Sequence, residues 1–172
     1  MTTVLSKDHI RKLLEQEPPL IEGYINLKEQ LQPNGFDLSL SEIALLQSPG
    51  QIATSNSQRL VSSLAPLMFD GLGFIDLASG IYSITYNETL HLPKNAMALA
   101  TPRSSLLRCG VTINTAVWDA GYSGRSQSLM VVYNTHGFRL QKNARIVQLI
   151  FFRLSKETEG YHGAYQGENI ER

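Results

Sequence analysis

The chain has 172 residues, and its 15 Lys and Arg residues balance its 15 Asp and Glu residues, so the formal net charge is zero. This length is enough for one domain with its own core, and 42% hydrophobic against 17% charged residues excludes a disordered protein. The zero balance argues against a general nucleic-acid binder, which needs surplus cations, but not against a small anionic ligand.

A single cysteine, Cys109, excludes an intrachain disulfide, and the start of the chain carries charges where a secretory signal would be apolar. No apolar run approaches the roughly 20 residues that span a bilayer. We therefore expect a cytoplasmic protein with neither a membrane nor a nucleic-acid partner.

The first predicted element is an amphipathic helix over residues 5–16. Ser6 is its expected N-cap, and Asp8 favours the positive end of the helix dipole. Its apolar face is formed by three residues spaced three and four apart, Ile10, Leu13 and Leu14. Two consecutive prolines end the helix, and we expect residues 1–19 to pack on the main domain.

After the helix, short β-like runs follow, separated by Gly, Pro, Asn and Ser. The runs cover residues 36–46, 80–86, 96–101, 111–114, 128–133 and 145–154. Because they lack βαβ alternation, they predict a mostly-β sandwich or barrel with long connections over residues 20–156. We expect the polar stretch 47–63 to be a surface excursion.

The last segment, residues 157–172, contains several glycines and little apolar surface to bury. Composition alone favours a frayed terminus. The alternative is a mobile lid that becomes ordered over a ligand.

Several familiar sites are absent from the sequence. The four histidines are scattered and one cysteine cannot form a Cys-x2-Cys pair, so we do not expect a closed zinc site. The zinc-deaminase signature, the phosphate loop and the Gly-x-Ser-x-Gly elbow are missing as well.

A dense polar segment spans residues 101–110. A β-like run ends at Pro102, and a short helix is expected to follow and to end at Gly110. Hydroxyls and free N–H groups at the helix start, beside Arg103 and Arg108, form a ready cradle for an anion. A capped helix with solvated arginines explains the segment about equally well.

A second segment spans residues 114–124. Asp119 follows the apolar Trp118, where a carboxylate could orient and deprotonate a water. Tyr122, between two glycines, could lie flat against a ring. From the residues alone, a β-hairpin with a turn aspartate and a packing tyrosine is the slightly better explanation.

Two polar residues interrupt predicted core strands. Asp37 lies in an apolar strand, where a carboxylate is costly unless it is paired or near a metal. Gln148 lies in another, where its amide needs partners from a neighbouring element or a ligand.

Taken in order, these segments resemble the boxes of the trimeric dUTPase/dCTP deaminase superfamily. The four boxes are Gly35-Phe-Asp-Leu38, Pro102-Arg-Ser-Ser105, Trp118-Asp-Ala-Gly-Tyr-Ser-Gly124 and Arg145-Ile-Val-Gln-Leu149. Each is weak alone, but four in the right order are specific. The N-terminal helix, the Arg-Ser-Ser-Leu-Leu-Arg form of the second box and a Tyr-Gln-Gly tail resemble the deaminase branch and archaeal-type dUTPases.

The resemblance implies a β-clip or jelly-roll barrel with a short N-terminal helix, assembled as a homotrimer with sites between subunits. It also implies hydrolysis of dUTP to dUMP and pyrophosphate with Mg²⁺, a nucleotide-pool function. An inactive nucleotide-binding regulatory protein on the same fold is an alternative, because fold alone does not guarantee activity.

The resemblance assigns roles to individual residues. Asp119 is expected to activate the water and Asp37 to lie near the metal, through water or by holding Arg103. The phosphate contacts are expected to be Arg103, Ser104, Ser105, Arg108 and Gln148. The base and sugar contacts are expected to be Asn114, Thr115, Ala116, Val117 and Tyr122.

The same resemblance leaves dCTP deamination, alone or combined with dUTP hydrolysis, as an alternative. Zinc-free deaminases of this kind use a glutamate in the strand after the third box. The matching position here is Leu129 or Val131, depending on the alignment, and neither side chain can shuttle protons. We therefore expect dUTP hydrolysis.

The tail departs most from the superfamily. The resemblance nevertheless implies that residues 157–172 form a flexible C-terminal lid, with the candidate lid residues Tyr161, Tyr165 and Gln166. Where the deaminase branch tends to have Lys before and Gln after Tyr-Gln-Gly, this chain has Ala164 and Glu168, so the lid's phosphate contacts are not those of that branch.

Overall fold

The computed structural model describes residues 3–170. The outermost residues of the predicted terminal segments, 1–2 and 171–172, lie outside these described residues. The strands are β1 (Thr3–Val4), β2 (Ile21–Glu22), β3 (Leu31–Gln32), β4 (Gly35–Leu46), β5 (Leu64–Pro66), β6 (Phe74–Leu77), β7 (Gly80–Tyr86), β8 (Thr89–His91), β9 (Ala96–Pro102), β10 (Val111–Asn114), β11 (Ser123–Gly124), β12 (Gln127–Val132), β13 (Phe138–Gln141) and β14 (Arg145–Arg153). The helices are α1 (Lys7–Leu14), α2 (Leu27–Gln30) and α3 (Ser104–Arg108), with one 3-10 turn at Asn56–Gln58.

Antiparallel pairing organises the strands into three sheets. The main sheet has nine strands, with a path β1-β14-β4-β7-β12-β10 to which β3, β5 and β9 are added. A three-stranded sheet has the order β11-β8-β2, and β13 pairs with β6. The prediction of a mostly-β protein is confirmed.

The core consists of the inward faces of the long strands. Along β4, residues from Gly35 to Leu40 are all buried, and along β14 the apolar side chains Ile146, Val147, Leu149 and Phe151 have 0% exposure. Because successive side chains of a strand point to opposite faces and all six of these β4 residues are buried, the first half of β4 is covered on both faces. This burial explains the continuous apolar character of its sequence.

The N-terminal helix is shorter than the predicted span of 5–16. Leu5 is buried and its N–H donates to the carbonyl of Phe151, so this residue extends the sheet instead of the helix. Ser6 is at the N-cap position, but its hydroxyl bonds the His9 ring and no backbone N–H. Ile10 is the buried residue of the helix face.

The excursion 47–63 is largely exposed, as predicted. The long β-strands also agree with their predictions within one residue at each end. The short strands β2, β8 and β11 and the antiparallel pair of β6 with β13 were not predicted. Within residues 3–170, no helix is long and apolar enough to cross a bilayer.

Candidate active site

The loop between β10 and β11 carries Asp119 on a rigid support. Its neighbour Trp118 is buried, and the backbones of Trp118 and Ala98 exchange hydrogen bonds of 2.9 and 3.1 Å. The Trp118 indole Nε1 also donates to the Ser126 hydroxyl at 2.9 Å. The side chain of Asp119 is exposed. A fixed backbone therefore presents a carboxylate to solvent, which a water-activating group needs.

The β-hairpin expected for residues 114–124 is not formed. Trp118 bridges to β9 through Ala98, and β11 pairs with β8 in another sheet. The chain turns at Gly121, which has a φ of 82°, and a Cβ added there would lie only 2.8 Å from Gly160 Cα, so the position leaves no room for a side chain. The third box is thus a loop clamped between two sheets.

Tyr122 is the buried centre of this loop. Its side chain is 5% exposed, its ring meets the Tyr161 ring edge-on at 5.8 Å, and its hydroxyl donates to Glu168 Oε1 at 2.8 Å. Burial and the neighbouring Glu168 carboxylate raise the pKa of the phenol. Burial also raises the pKa of Glu168.

The tail is not frayed, which corrects the expectation from its composition. The N–H of Gly167 donates to Ser123, and the N–H of Arg125 donates to the carbonyl of Glu168. The Gln166 amide accepts from the N–H of Ser123 and donates to the carbonyl of Gly121. Backbone pairing with the third-box loop needs no apolar side chains, so composition could not reveal it.

Asp119, Tyr122 and the tail enclose one cavity of about 470 Å³. Its lining includes the predicted residues Ala116, Val117, Asp119, Tyr122, Tyr161 and Tyr165, joined by Val61, Trp118, Ser126, Gln127 and Glu168. A second cavity of about 320 Å³ shares Val61, Ala116 and Gln127 with the first and adds Asn114 and Leu129. Thr115 lies in the same loop but lines neither cavity.

The described residues that line the larger cavity include two carboxylates, Asp119 and Glu168, and no Lys, Arg or His. The nearby cation Arg59 comes from the surface excursion, with its guanidinium 5.5 Å from the centre of the Tyr165 ring. This part of the chain alone therefore offers an unfavourable field for a triphosphate.

The predicted phosphate contacts form a second cluster elsewhere. Arg103 Nε lies 3.2 Å from Asp37 Oδ2, and Arg145 Nη1 lies 3.3 Å from the same oxygen. Asp37 is 1% exposed, and its Oδ1 has no hydrogen-bond partner among the described residues. Burial raises the pKa of Asp37, and the two arginines oppose the rise. Arg103 and Arg145 also line a cavity of about 340 Å³.

The remaining predicted contacts lie around this cluster. Gln148 is paired across the sheet with Asp37 on one side and Thr101 on the other. Ser104, Ser105 and Arg108 are exposed on α3, directly after Arg103. The second and fourth boxes and Asp37 of the first are thus brought together.

The two clusters are well separated within one chain. Ala98 pairs with Trp118, next to Asp119, whereas Arg103 lies five residues further along the same extended segment. At about 3.3 Å per residue, this places Arg103 roughly 16 Å along the strand from the level of Trp118. One chain does not bring the cradle and Asp119 into one cavity.

The donor set for a metal is sparse. Among residues 3–170, no group of three or more His, Cys, Asp or Glu side chains is arranged to hold a metal ion. Asp37 is already occupied by two guanidinium groups on one oxygen. These residues do not build a resident cage, so a Mg²⁺ ion here would need phosphate oxygens and waters for most of its ligands.

Sequence reasoning missed several residues that line the site. Val61 and Gln127 come from segments without a motif, and the role of Glu168 depends on a contact 46 residues away along the chain. The one available signal for Glu168 was its departure from the pattern around Tyr-Gln-Gly.

Comparison with known proteins agrees with this architecture. A model of the dCTP deaminase-like family matches residues 4–154. The "probable deoxyuridine 5'-triphosphate nucleotidohydrolase" of Methanosarcina acetivorans is 50% identical over 168 residues, covering 97% of this chain and 98% of that protein. The protein with the same name from Archaeoglobus fulgidus is 47% identical over 168 residues, covering 98% of each chain.

A solved structure shows the same fold. The 2'-deoxycytidine 5'-triphosphate deaminase of Agrobacterium tumefaciens superimposes with a TM-score of 0.63 at 23% identity. The match covers 88% of this chain and 48% of that chain, so this protein spans about half the length of that deaminase. With a family model and close relatives that both extend over most of its length, the chain belongs to the dCTP deaminase-like family of the dUTPase/dCTP deaminase superfamily.

Proposed function

We propose that this protein hydrolyses dUTP to dUMP and pyrophosphate, with Asp119 as the group that activates the attacking water. The observation that carries the proposal is the shared cavity, into which Asp119, Tyr122 and the loop around Ala116 all open. Relatives at 50% and 47% identity that are named as probable dUTP nucleotidohydrolases support the choice of substrate.

In the proposed reaction, Asp119 accepts a proton as the water oxygen attacks the α-phosphorus. The bond between this phosphorus and the oxygen that bridges to the β-phosphate breaks, and pyrophosphate leaves with that oxygen. Because Trp118 anchors the backbone beside Asp119, the main chain that carries the carboxylate is fixed before the substrate binds. Positioning and charge stabilisation supply most of the acceleration.

The nucleoside is recognised by the third-box loop and by the residues that lead into it from β10. The main chain of Asn114, Thr115, Ala116 and Val117 reads the uracil edge, and Tyr122 packs on the deoxyribose without space for a 2'-hydroxyl. Support comes from the continuity of the two cavities through Ala116 and from the rigid burial of the Tyr122 ring.

The phosphates are held by a second copy of the chain in a homotrimer. The cavity beside Asp119 has two carboxylates and no lining cation among the described residues, whereas the cationic cluster lies roughly 16 Å away along the strand. If a neighbouring subunit places its cationic cluster beside Asp119, both the lack of a lining cation and the distance between the two clusters are explained. The contacts are Arg103, Ser104, Ser105 and Arg108, with Gln148 supporting them.

Mg²⁺ neutralises part of the triphosphate charge when it is bound. Phosphate oxygens and waters would hold the ion, and Asp37 would be the nearby carboxylate, acting through water or by fixing Arg103. The ion pair between Asp37 and Arg103 supports the second of these roles. A substrate drawn from the nucleotide pool also implies a cytoplasmic enzyme.

Deamination of dCTP is disfavoured by the side chains beside the cavity. Leu129 lines the smaller cavity next to Asn114, which is its partner in the pairing of β12 with β10. Val131 pairs with Thr112 and lies outside the lining. Neither position offers a carboxylate for proton transfer.

The test is incubation of the protein with dUTP, dCTP, dTTP and UTP, with and without Mg²⁺, followed by analysis of nucleotide products and pyrophosphate. We expect dUMP and pyrophosphate from dUTP in the presence of Mg²⁺, and neither dUTP nor dUMP from dCTP. Robust turnover of dCTP would replace the proposal with deamination. Binding in a thermal-shift assay without any turnover would indicate a regulatory protein instead.

A further inference from the structure

We infer that Glu168 is a positioning residue for sugar discrimination: its carboxylate fixes the Tyr122 ring and couples closure of the tail to recognition of the deoxyribose. The inference rests on the proposed function of Tyr122. The contact that carries it is the hydrogen bond from the Tyr122 hydroxyl to Glu168 Oε1, at 2.8 Å inside the cavity that also contains Asp119.

Backbone hydrogen bonds on both sides of Glu168 fix the position of its carboxylate. The carbonyl of Glu168 accepts from the N–H of Arg125, and the N–H of the preceding Gly167 donates to Ser123. The Asn169 amide donates to the carbonyl of Arg125 at 3.0 Å. The tail is therefore paired with the chain on both sides of Glu168, so the carboxylate reaches Tyr122 only when the tail is closed.

The third-box loop leaves space for this contact. A Cβ on Gly124 would lie 2.5 Å from the Tyr122 hydroxyl and 3.2 Å from Glu168 Cγ. The close approach of both side chains to one backbone position requires glycine there. The loop, the ring and the tail carboxylate thus fit together as one unit.

The role of Glu168 differs from that of a phosphate contact. A carboxylate repels phosphate oxygens, and the larger cavity already contains Asp119. The Tyr122 phenol supplies the hydrogen-bond donor that the Glu168 carboxylate needs, so Glu168 does not require a phosphate contact to explain its position. A Tyr122 ring held by this bond cannot move aside to admit a 2'-hydroxyl, whereas a released ring can.

The experiment measures affinities for non-hydrolysable imido analogues of dUTP and UTP by calorimetry. The variants are Glu168→Ala, Glu168→Gln, Tyr122→Phe and the double variant Glu168→Ala/Tyr122→Phe. Glu159→Ala is the matched control, because Glu159 is an exposed carboxylate in the same segment. Imido analogues make the result independent of turnover.

We expect Glu168→Ala and Tyr122→Phe each to lower the ratio of dUTP-analogue to UTP-analogue affinity by about five- to thirtyfold, as loss of one charge-assisted hydrogen bond allows. The double variant should lose no more than either single one. Glu168→Gln retains an acceptor oxygen and should keep most of the ratio, and Glu159→Ala should keep all of it.

An unchanged ratio in Glu168→Ala, or losses that multiply in the double variant, would overturn the inference. If Glu168→Ala does not fold, the contrast between Tyr122→Phe and Glu168→Gln decides the question in the same way. Failure of the wild-type protein to hydrolyse dUTP would remove the proposed function but leave the affinity ratios measurable. The two failures are therefore distinguishable.

Discussion

Asp37 and Arg103 form an ion pair in which the carboxylate is almost entirely buried and the guanidinium is not. Their Oδ2 and Nε atoms are 3.2 Å apart, with side-chain exposures of 2% for Asp37 and 35% for Arg103. The buried Asp37 carboxylate thus fixes the Arg103 guanidinium on its inner side, while the guanidinium remains accessible to solvent. This is the arrangement expected for a group that must bind an external anion in a fixed orientation.

We predict that Asp37→Asn lowers the free energy of unfolding by about 1–2 kcal/mol and raises KM for dUTP. Removal of one partner of a buried ion pair costs about 3–5 kcal/mol, but solvent access to both arginines reduces the loss here. Urea unfolding and steady-state kinetics measure the two effects. Asp76→Asn is the control, because its ion pair with Arg139 is exposed and worth at most about 1 kcal/mol.

Glu88 is a buried carboxylate outside both clusters, and we predict a pH-dependent contribution to stability from it. It has 0% exposure, and burial raises its pKa. The folded state therefore keeps a proton that the unfolded state releases at lower pH. The stabilisation from Glu88 is complete below the ordinary glutamate pKa and is lost as pH rises through the raised value.

Glu88→Gln should remove this component of the pH profile and also lower stability by about 1–3 kcal/mol. Glu88 accepts from the Ser39 N–H, the Ser39 hydroxyl and the Gln30 amide. A glutamine amide in either orientation would face one of these donors with its own N–H groups. Urea unfolding at pH 5, 6, 7 and 8 measures both effects. If the free energy of unfolding changes with pH in the same way in wild type and variant, the prediction is contradicted.

Asp119→Asn should lower kcat for dUTP by about a hundredfold to ten-thousandfold, the range of a general base. The exposed side chain lies outside the core, so the variant should unfold at the same temperature as the wild type and bind an imido-dUTP analogue with nearly unchanged affinity. Asp70→Asn, which removes an exposed carboxylate from a remote turn, is the control. Retained turnover would exclude Asp119 from the reaction.

Tyr122→Ala should reduce the preference for dUTP over UTP and also destabilise the protein by about 3–5 kcal/mol, as loss of a buried aromatic ring usually does. The ring is 5% exposed and packs against Tyr161. Ratios of kcat/KM for the two substrates measure the first effect, and they are to be taken at a temperature at which the variant remains folded. An equal fall in activity on both substrates would argue for a purely structural tyrosine.

The long strands could be predicted because the run of apolar residues in each one indicates which of its side chains are buried. The strand Gly80–Tyr86 was predicted to the residue, and Arg145–Arg153 was predicted to within one. The two-residue strands contain too few residues for any periodicity. The pairing of the tail with the third-box loop uses backbone groups, which every sequence has, so only the folded chain reveals it.

The four boxes predicted a set of candidate site residues, but not the division of these residues into two clusters. That division depends on which residue of β9 meets Trp118, and Ala98 has no property that marks it in the sequence. The sequence order of the boxes is compatible with one cavity or two. Only the register separates Arg103 from Asp119.

The division leads to a test of the proposed shared site. Asp119→Asn and Arg103→Ala chains should each have little activity alone, because one lacks the water-activating carboxylate and the other lacks a phosphate contact. If each site combines Asp119 of one subunit with Arg103 of its neighbour, unfolding and refolding an equal mixture should restore activity. Random assembly gives about one quarter of the sites an intact pair.

The control is a chain that carries both substitutions, refolded with Asp119→Asn chains, because no site in that mixture has the carboxylate. We expect about a quarter of wild-type activity from the first mixture and none above background from the control. Sites contained within single chains would give no recovery in either mixture. Because the roughly 16 Å along the strand between Arg103 and the level of Trp118 prevents one chain from closing the site alone, the recovery measures the contribution of the neighbouring subunit directly.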